Sequence, residues 1–227
     1  MRLVDAAADL LLGSCCPGCD EPGFRLCSVC RGLLAAPQAF RLPGLTPPVV
    51  AAGPGDALVR RLVSAHKERS AWYLARPLGD RLAGAVDHLA AGLGAPEGAR
   101  VVLVPVPSTR SAVRRRGYDA TAALAVRAAK AATATRAEVH RALRHTRAVQ
   151  DQSGLDRAER TENLRGALVT MKPTSGRPAI VVDDLTTSGA TLAEALRALC
   201  AGGWSVAGAA VVGAVGNFTG DKGVNHW

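Results

Sequence analysis

Residues 179–191 read AIVVDDLTTSGAT, and the rest of the chain is organised around them. Ala179 to Val182 form a short apolar run bounded by turn signals, which predicts a buried strand. Asp183 and Asp184 stand where that strand is expected to end. Thr186, Thr187, Ser188, Gly189, Ala190 and Thr191 follow as a loop of small, mostly hydroxyl-bearing residues, and Leu192 to Leu199 then place apolar residues at helical spacing. The unit is strand, acid pair, loop and helix, which is a half-turn of an α/β fold.

Each part has a chemical use. N–H groups of the loop and of the helix start make an anion site, because they lack intrahelical partners and lie at the positive end of the dipole. Thr187, Ser188 and Thr191 add hydroxyl donors, and Gly189 lets the backbone approach a phosphate. Two adjacent carboxylates suit the vicinal hydroxyls of a sugar. Ligands of open α/β sheets sit at the carboxyl ends of strands. Together these features describe a site for ribose 5-phosphate. The competing reading is an ordinary helix cap, but a cap needs one hydroxyl and no acid pair. Neither the GxxxxGK[ST] loop nor the GxGxxG turn is present.

The stretch resembles the phosphoribosyl pyrophosphate (PRPP) motif of type I phosphoribosyltransferases, and Asp183 to Thr191 matches every specified position of that motif.

Working outward, Val101 to Val106 is a second buried strand, closing on Pro105, Val106 and Pro107, where proline ends the ladder. Arg114, Arg115, Arg116 and Gly117 come soon after. Guanidinium groups near a strand end suit pyrophosphate oxygens; a solvated basic face or a nucleic-acid patch is the competing reading. Helices are expected over 54–66, 71–93 and 118–132, strands over 49–52, 139–143, 167–170 and 204–215, and a turn at 96–98. Lys67 falls at the end of the first of these helices, where a solvated charge complementing the dipole is the plain alternative to a functional one. Arg144 to Gly166 is polar with little early periodicity, which predicts a mobile loop over the site and then a short helix from Asp156 to Leu164. His140 and His145 lack a partner at metal spacing and are expected to be non-ligands, and Cys200 is expected in the core.

Cys16 and Cys19 form one C-x-x-C pair and Cys27 and Cys30 a second. Two such pairs can place four thiolates around zinc with no open coordination position, which makes the site structural. Two disulfides or a redox pair are the alternatives, and a reducing cytosol disfavours stable disulfides. Cys15 is spare and competes as a ligand. Residues 35–48 are rich in proline and small side chains. The chain therefore divides into an N-terminal helix and knuckle (1–34), a linker (35–48), the α/β domain (49–215) and a tail (216–227).

The chain has 227 residues, is 48% hydrophobic but only 4% aromatic, and carries a net charge of +9. Its core must be built of Ala, Val and Leu, and its charge favours anionic partners. No apolar run reaches membrane-spanning length. Asp5 and Asp9 interrupt what would otherwise resemble a signal sequence, so Leu3 to Leu12 is expected to be an amphipathic helix of a cytoplasmic protein.

The order of these parts resembles the ComF competence family, including its GntX-type members, from about Leu10 to Val215. The shared features are the four-cysteine knuckle, a helix ending in Lys67, Pro105 and Pro107, and Arg114, Arg116, Gly117 and Tyr118. Arg144, Thr146, Gln152, Leu155, Arg160, Asn163, Leu164 and Gly166 match next, and then the PRPP motif. Asp119 and Ala120 depart from the family's Asn-Gln, and Ser108 from its usual bulkier residue. The resemblance implies a type I phosphoribosyltransferase-like α/β fold, a mainly parallel sheet flanked by helices, with an N-terminal zinc knuckle. It also implies Mg²⁺–PRPP as ligand and displacement at C1 of the ribose with loss of pyrophosphate. Asp183 and Asp184 would hold the ribose hydroxyls, Thr187 to Thr191 the 5-phosphate, and Lys67 and Arg116 the pyrophosphate, with Thr186 also among the PRPP-binding residues. No general base for an acceptor stands out. A link to DNA uptake follows from the same resemblance, with a non-catalytic factor that binds single-stranded DNA or a helicase as the alternative function.

Overall fold

A computed structural model describes residues 15–146 and 166–216, except 24, 37, 38, 44, 70, 93, 95, 97 and 174. The helices expected over Leu3–Leu12 and Asp156–Leu164, most of the predicted mobile loop and the tail from residue 217 lie outside the described residues.

The chain is mixed α/β. In order it forms α1 (Ser28–Ala35), β1 (Phe40–Arg41), β2 (Val49–Ala51), α2 (Ala57–Glu68), a 3₁₀ turn (Trp72–Leu74) and α3 (Ala75–Gly92). Then come β3 (Ala99–Pro105), α4 (Arg110–Arg116), α5 (Ala120–Ala131), β4 (Thr135–Val139), β5 (Leu143–His145), β6 (Leu168–Thr170), β7 (Ala179–Thr186), α6 (Ala190–Ala201) and β8 (Val206–Ala214). Six strands make one sheet in the order β1-β2-β8-β7-β3-β4, and β5 and β6 form a separate ribbon. Only the short edge strand β1 runs antiparallel in the large sheet.

The sheet is covered on both faces, as a parallel sheet requires. Alternation along each strand decides which residue goes to which side. Val50, Val101, Leu103, Ile180, Val182, Ala210 and Val212 pack with α1, α2, α3 and α5. Val49, Ala51, Val102, Val104, Ala179, Val181, Ala209 and Val211 pack with α6, Trp204 and the ribbon. Cys16, Leu26, Cys30 and Leu34 belong to the first of these cores, so the cysteine-bearing segment closes the same apolar layer as α2 and α3.

Arg81 of α3 fastens this layer. It is 5% exposed, and it donates to the carbonyls of Val212 (3.1 Å), Leu34 (2.9 Å) and Pro54 (3.3 Å). Those acceptors lie on β8, α1 and the turn after β2, so one guanidinium joins three parts of the chain. Gly53 makes room for it, since a Cβ there would lie 2.1 Å from Nη2.

Several local expectations are corrected. The predicted strand over 139–143 is instead the end of β4 and the start of β5, because the apolar residues around Leu143 turn away into the ribbon. The strand near 167–170 pairs with β5 rather than with the main sheet. A separate helix, α4, precedes α5; Thr109 caps its start and Gly117, at φ 79°, ends it. Cys200 is exposed on α6, not in the core.

Candidate functional site

The main correction concerns the acid pair. β7 does not stop at Val182 but continues to Thr186, so Asp183 and Asp184 stand within the strand. They are 8% and 3% exposed, so the expected open strand end is a buried one. The extension has a cause: Asp183, Leu185 and Thr186 stay in register with Val211, Gly213 and Ala214 of β8. Each carboxylate also takes a backbone donor. Asp184 N–H donates to Oδ1 of Asp183 (2.9 Å), and Leu185 N–H donates to Oδ1 of Asp184 (2.7 Å).

Two adjacent buried carboxylates need a cation. Lys67, in the last turn of α2, supplies it with Nζ 2.5 Å from Oδ2 of Asp184. Apart from this ion pair, that buried oxygen has no hydrogen-bond partner among the described residues. Burial pushes the carboxyl of Asp183 up and the Asp184 charge adds to the rise, leaving it at about 7 despite the opposing effect of Lys67. Burial works to lower Lys67, but Asp184 and Asp183 outweigh it and hold the ammonium above its ordinary value.

Beyond the pair, Asp183, Leu185 and residues 186–192 line a cleft of about 210 Å³. Thr186 is the last strand residue, and Thr187, Ser188 and Gly189 form the turn into α6. Gly189 has φ 77° and stands at the helix N-cap, where a non-glycine residue would be strained. That cap carries no side-chain hydrogen bond. Ser188 Oγ accepts from Ala190 N–H, at 3.3 Å, and so takes the first amide of α6. Among the described residues no side chain takes the amides of Thr191 and Leu192, and both residues line the cleft. Ala190 and Thr191 fall inside the helix, two residues earlier than the apolar spacing indicated.

Arg116 is placed differently from expectation. Its Nε donates to the carbonyl of Ala112 (3.1 Å) and its Nη1 to that of Lys67 (3.3 Å). The two residues expected at the pyrophosphate, Lys67 and Arg116, therefore meet, guanidinium to backbone carbonyl. Asp119, where the family pattern has Asn, caps α5 through Ala122 N–H (3.3 Å) and accepts from Ser108 Oγ (3.0 Å). Both departures from the pattern therefore meet each other. His145 Nε2 lies 2.9 Å from the carbonyl of Pro107, holding the β5–β6 ribbon to the end of β3.

The four cysteines converge. The Sγ atoms of Cys16, Cys19, Cys27 and Cys30 all lie within 4.8 Å of one another, and Cys15 is not among them. Tetrahedral zinc with sulfur at about 2.3 Å sets neighbouring sulfurs roughly 3.8 Å apart; Cys19 and Cys27 are 3.7 Å apart. Gly18 N–H and Cys27 N–H both point at Cys16 Sγ, at 3.4 Å each. Burial pushes the Cys16 thiol up, but these N–H donors outweigh it and bring it down to about 6. Burial and the neighbouring sulfurs push Cys30 up, so a full set of thiolates calls for a central cation. The cluster fits a structural zinc site, with Gly18 leaving the space that Cys30 Sγ fills.

No protein-family model matches the chain, and no curated protein matches it. Among the described residues, no helix is long and apolar enough to cross a membrane.

Proposed function

We propose that the chain is a phosphoribosyltransferase-type protein that binds Mg²⁺–PRPP and transfers ribose 5-phosphate to an acceptor with release of pyrophosphate. The observation that carries this reading is the placing in one cleft of the buried Asp183, with Asp184 next to it in β7, and the hydroxyl and glycine residues 186–191 that lead into α6. The 5-phosphate would take the amides and hydroxyls of residues 187–191. Asp183 and Asp184 would accept from the ribose hydroxyls, and the pair would favour positive charge developing at C1. Lys67 would turn from Asp184 toward the pyrophosphate. Magnesium, arriving with PRPP, would neutralise the leaving group. Zinc in the knuckle would be structural, since four thiolates leave no open position.

Titration calorimetry of Mg²⁺–PRPP against the wild type and the Asp183→Asn/Asp184→Asn variant tests the assignment. Because both groups are buried, circular dichroism must first show that the variant is folded. The expected result is measurable binding that disappears in the folded variant; undiminished affinity there would overturn the reading. A mass-spectrometric screen of nucleobases and amines for PRPP-dependent products then addresses the acceptor.

A further inference from the structure

The last turn of α2 has an unusual set of partners. A helix leaves its final carbonyls without intrahelical donors. Here the carbonyl of His66 accepts from the Tyr118 hydroxyl, that of Lys67 accepts from Arg116, and the Glu68 carboxylate pairs with Arg115 at 2.9 Å. Three successive residues of α2 are thus taken up by the turn Arg115-Arg116-Gly117-Tyr118. The Tyr118 ring also meets the His66 ring, with centroids 5.4 Å apart, and its hydroxyl lies 3.3 Å from His66 Nδ1. His66 itself is wholly buried, its Nε2 lying 3.2 Å from the carbonyl of Ala120. Lys67, half-buried among these contacts, places its ammonium on Asp184.

We propose that Tyr118 and Arg116 are positioning residues for Lys67: they close the end of α2 from outside and so aim its ammonium at the acid pair. The bonds involved go to backbone carbonyls on either side of the lysine Cα, and they fix where its stem starts. A Lys stem has many rotamers, and confining its base lowers the cost of holding the head on one partner. Arg116 adds a cation where the helix dipole is negative. The role differs from direct contact with pyrophosphate, because two of Arg116's donor atoms are already bonded to carbonyls.

The test uses the ligand-free protein first. Aspartate labelled with ¹³C at the carboxyl carbon reports the titration of Asp183; Asp184, His66, Asp119, Glu68 and Arg116 are the other titratable or charged groups around it and Lys67. Lys67→Met should raise the Asp183 midpoint by about 1–3 pH units, the effect of losing a nearby opposite charge. Tyr118→Phe keeps the ring packing and removes only the hydroxyl, and it should raise the midpoint by a fraction of that. Arg116→Lys, which keeps the charge but not the fork, should do the same. In the Lys67→Met background neither change should add anything. An unchanged midpoint in the single variants, or equal shifts in both backgrounds, would overturn the proposal and leave Tyr118 a packing residue.

A second arm rests on the function proposed above. Tyr118→Phe should weaken Mg²⁺–PRPP binding about 3- to 10-fold in the wild type and less than about 2-fold beside Lys67→Met, the non-additivity of coupled residues. Additive losses would count against positioning. Absence of PRPP binding by the wild type would sink the function while the carboxyl titration still decides the role of Tyr118.

Discussion

Lys67 and Asp184 join two distant parts of the chain, the end of α2 and strand β7 beside the cleft, through a contact of 2.5 Å. Asp184 is buried, whereas the lysine side chain is 33% exposed. The two partners therefore differ in what they lose when parted: the lysine finds water, and the carboxylate does not.

Lys67→Met should accordingly destabilise the protein through the acids it leaves behind. Removing one partner of a fully buried pair costs about 3–5 kcal/mol. With Lys67 partly exposed, about 1–3 kcal/mol is expected near pH 8. Without the ammonium Asp183 holds its proton to higher pH, so the loss should shrink as that carboxyl protonates. Urea unfolding at pH 5 and pH 8 checks this; an equal loss at both would point to packing alone.

Asp183→Asn should change the pH dependence in a defined direction. The folded carboxyl sits at about 7, above its ordinary 3.8. Between those values the folded state keeps a proton that the unfolded chain has released, so wild-type stability falls as pH rises, by up to about 1.4 kcal/mol per unit. Above the folded value the loss is complete. The Asn variant keeps an acceptor for Asp184 N–H and lacks this slope. It should be more stable than wild type at pH 8, by about 1 kcal/mol or more, and the advantage should vanish toward pH 4. Parallel stability curves for the two proteins would refute the assignment.

Metal removal should act on stability rather than on the cleft. Purified, reduced protein should carry about one zinc per chain, and Cys19→Ser should lower both the metal content and the unfolding midpoint. Gly18→Ala should do likewise with all thiols retained, because its Cβ would stand 2.7 Å from both Cys30 Sγ and Leu58 Cδ1. Metal analysis by emission spectroscopy decides; freely reactive thiols and no zinc in the wild type would remove the site.

Gly53→Ala should be among the most damaging small substitutions, with a cost of about 2 kcal/mol or more. Its φ is 158°, and the added carbon meets a guanidinium that three carbonyls hold in place. Arg81→Met, which removes the charge and the obstacle together, should partly rescue it. A double-mutant cycle by chemical denaturation measures that coupling, and strict additivity would show that strain at Gly53 acts alone.

The mixed α/β class and the turn from β7 into α6 are legible in the sequence because both are local. The apolar run from Ala179 and the small residues from Thr186 to Thr191 need no distant partner to be read. The cysteine spacing is legible for the same reason. The acid pair was placed one step too far out because β8, which extends β7 past Val182, lies downstream and pairs by tertiary register. The contacts of Tyr118 and Arg116 were not legible because their acceptors are carbonyls, and carbonyls leave no mark on a residue pattern. Arg81 was invisible for that reason too. Asp119 reads as a departure from a family motif; only the structure shows that it caps α5 and accepts from Ser108.

The Arg81 junction also bears on the order in which the chain can be made. Its acceptors include Leu34 and Val212, and β2 has no parallel neighbour except β8. On a ribosome Leu34 emerges well before Val212. Until β8 is released, β2 lacks its partner, Arg81 lacks its Val212 acceptor, and the apolar layer formed by α1, α2 and α3 lacks part of its floor. Non-local closure of this kind is slow and leaves apolar surface waiting. Synthesis therefore runs from the knuckle outward, but the sheet can close only when its latest-made strand slides in between the earliest and the middle ones.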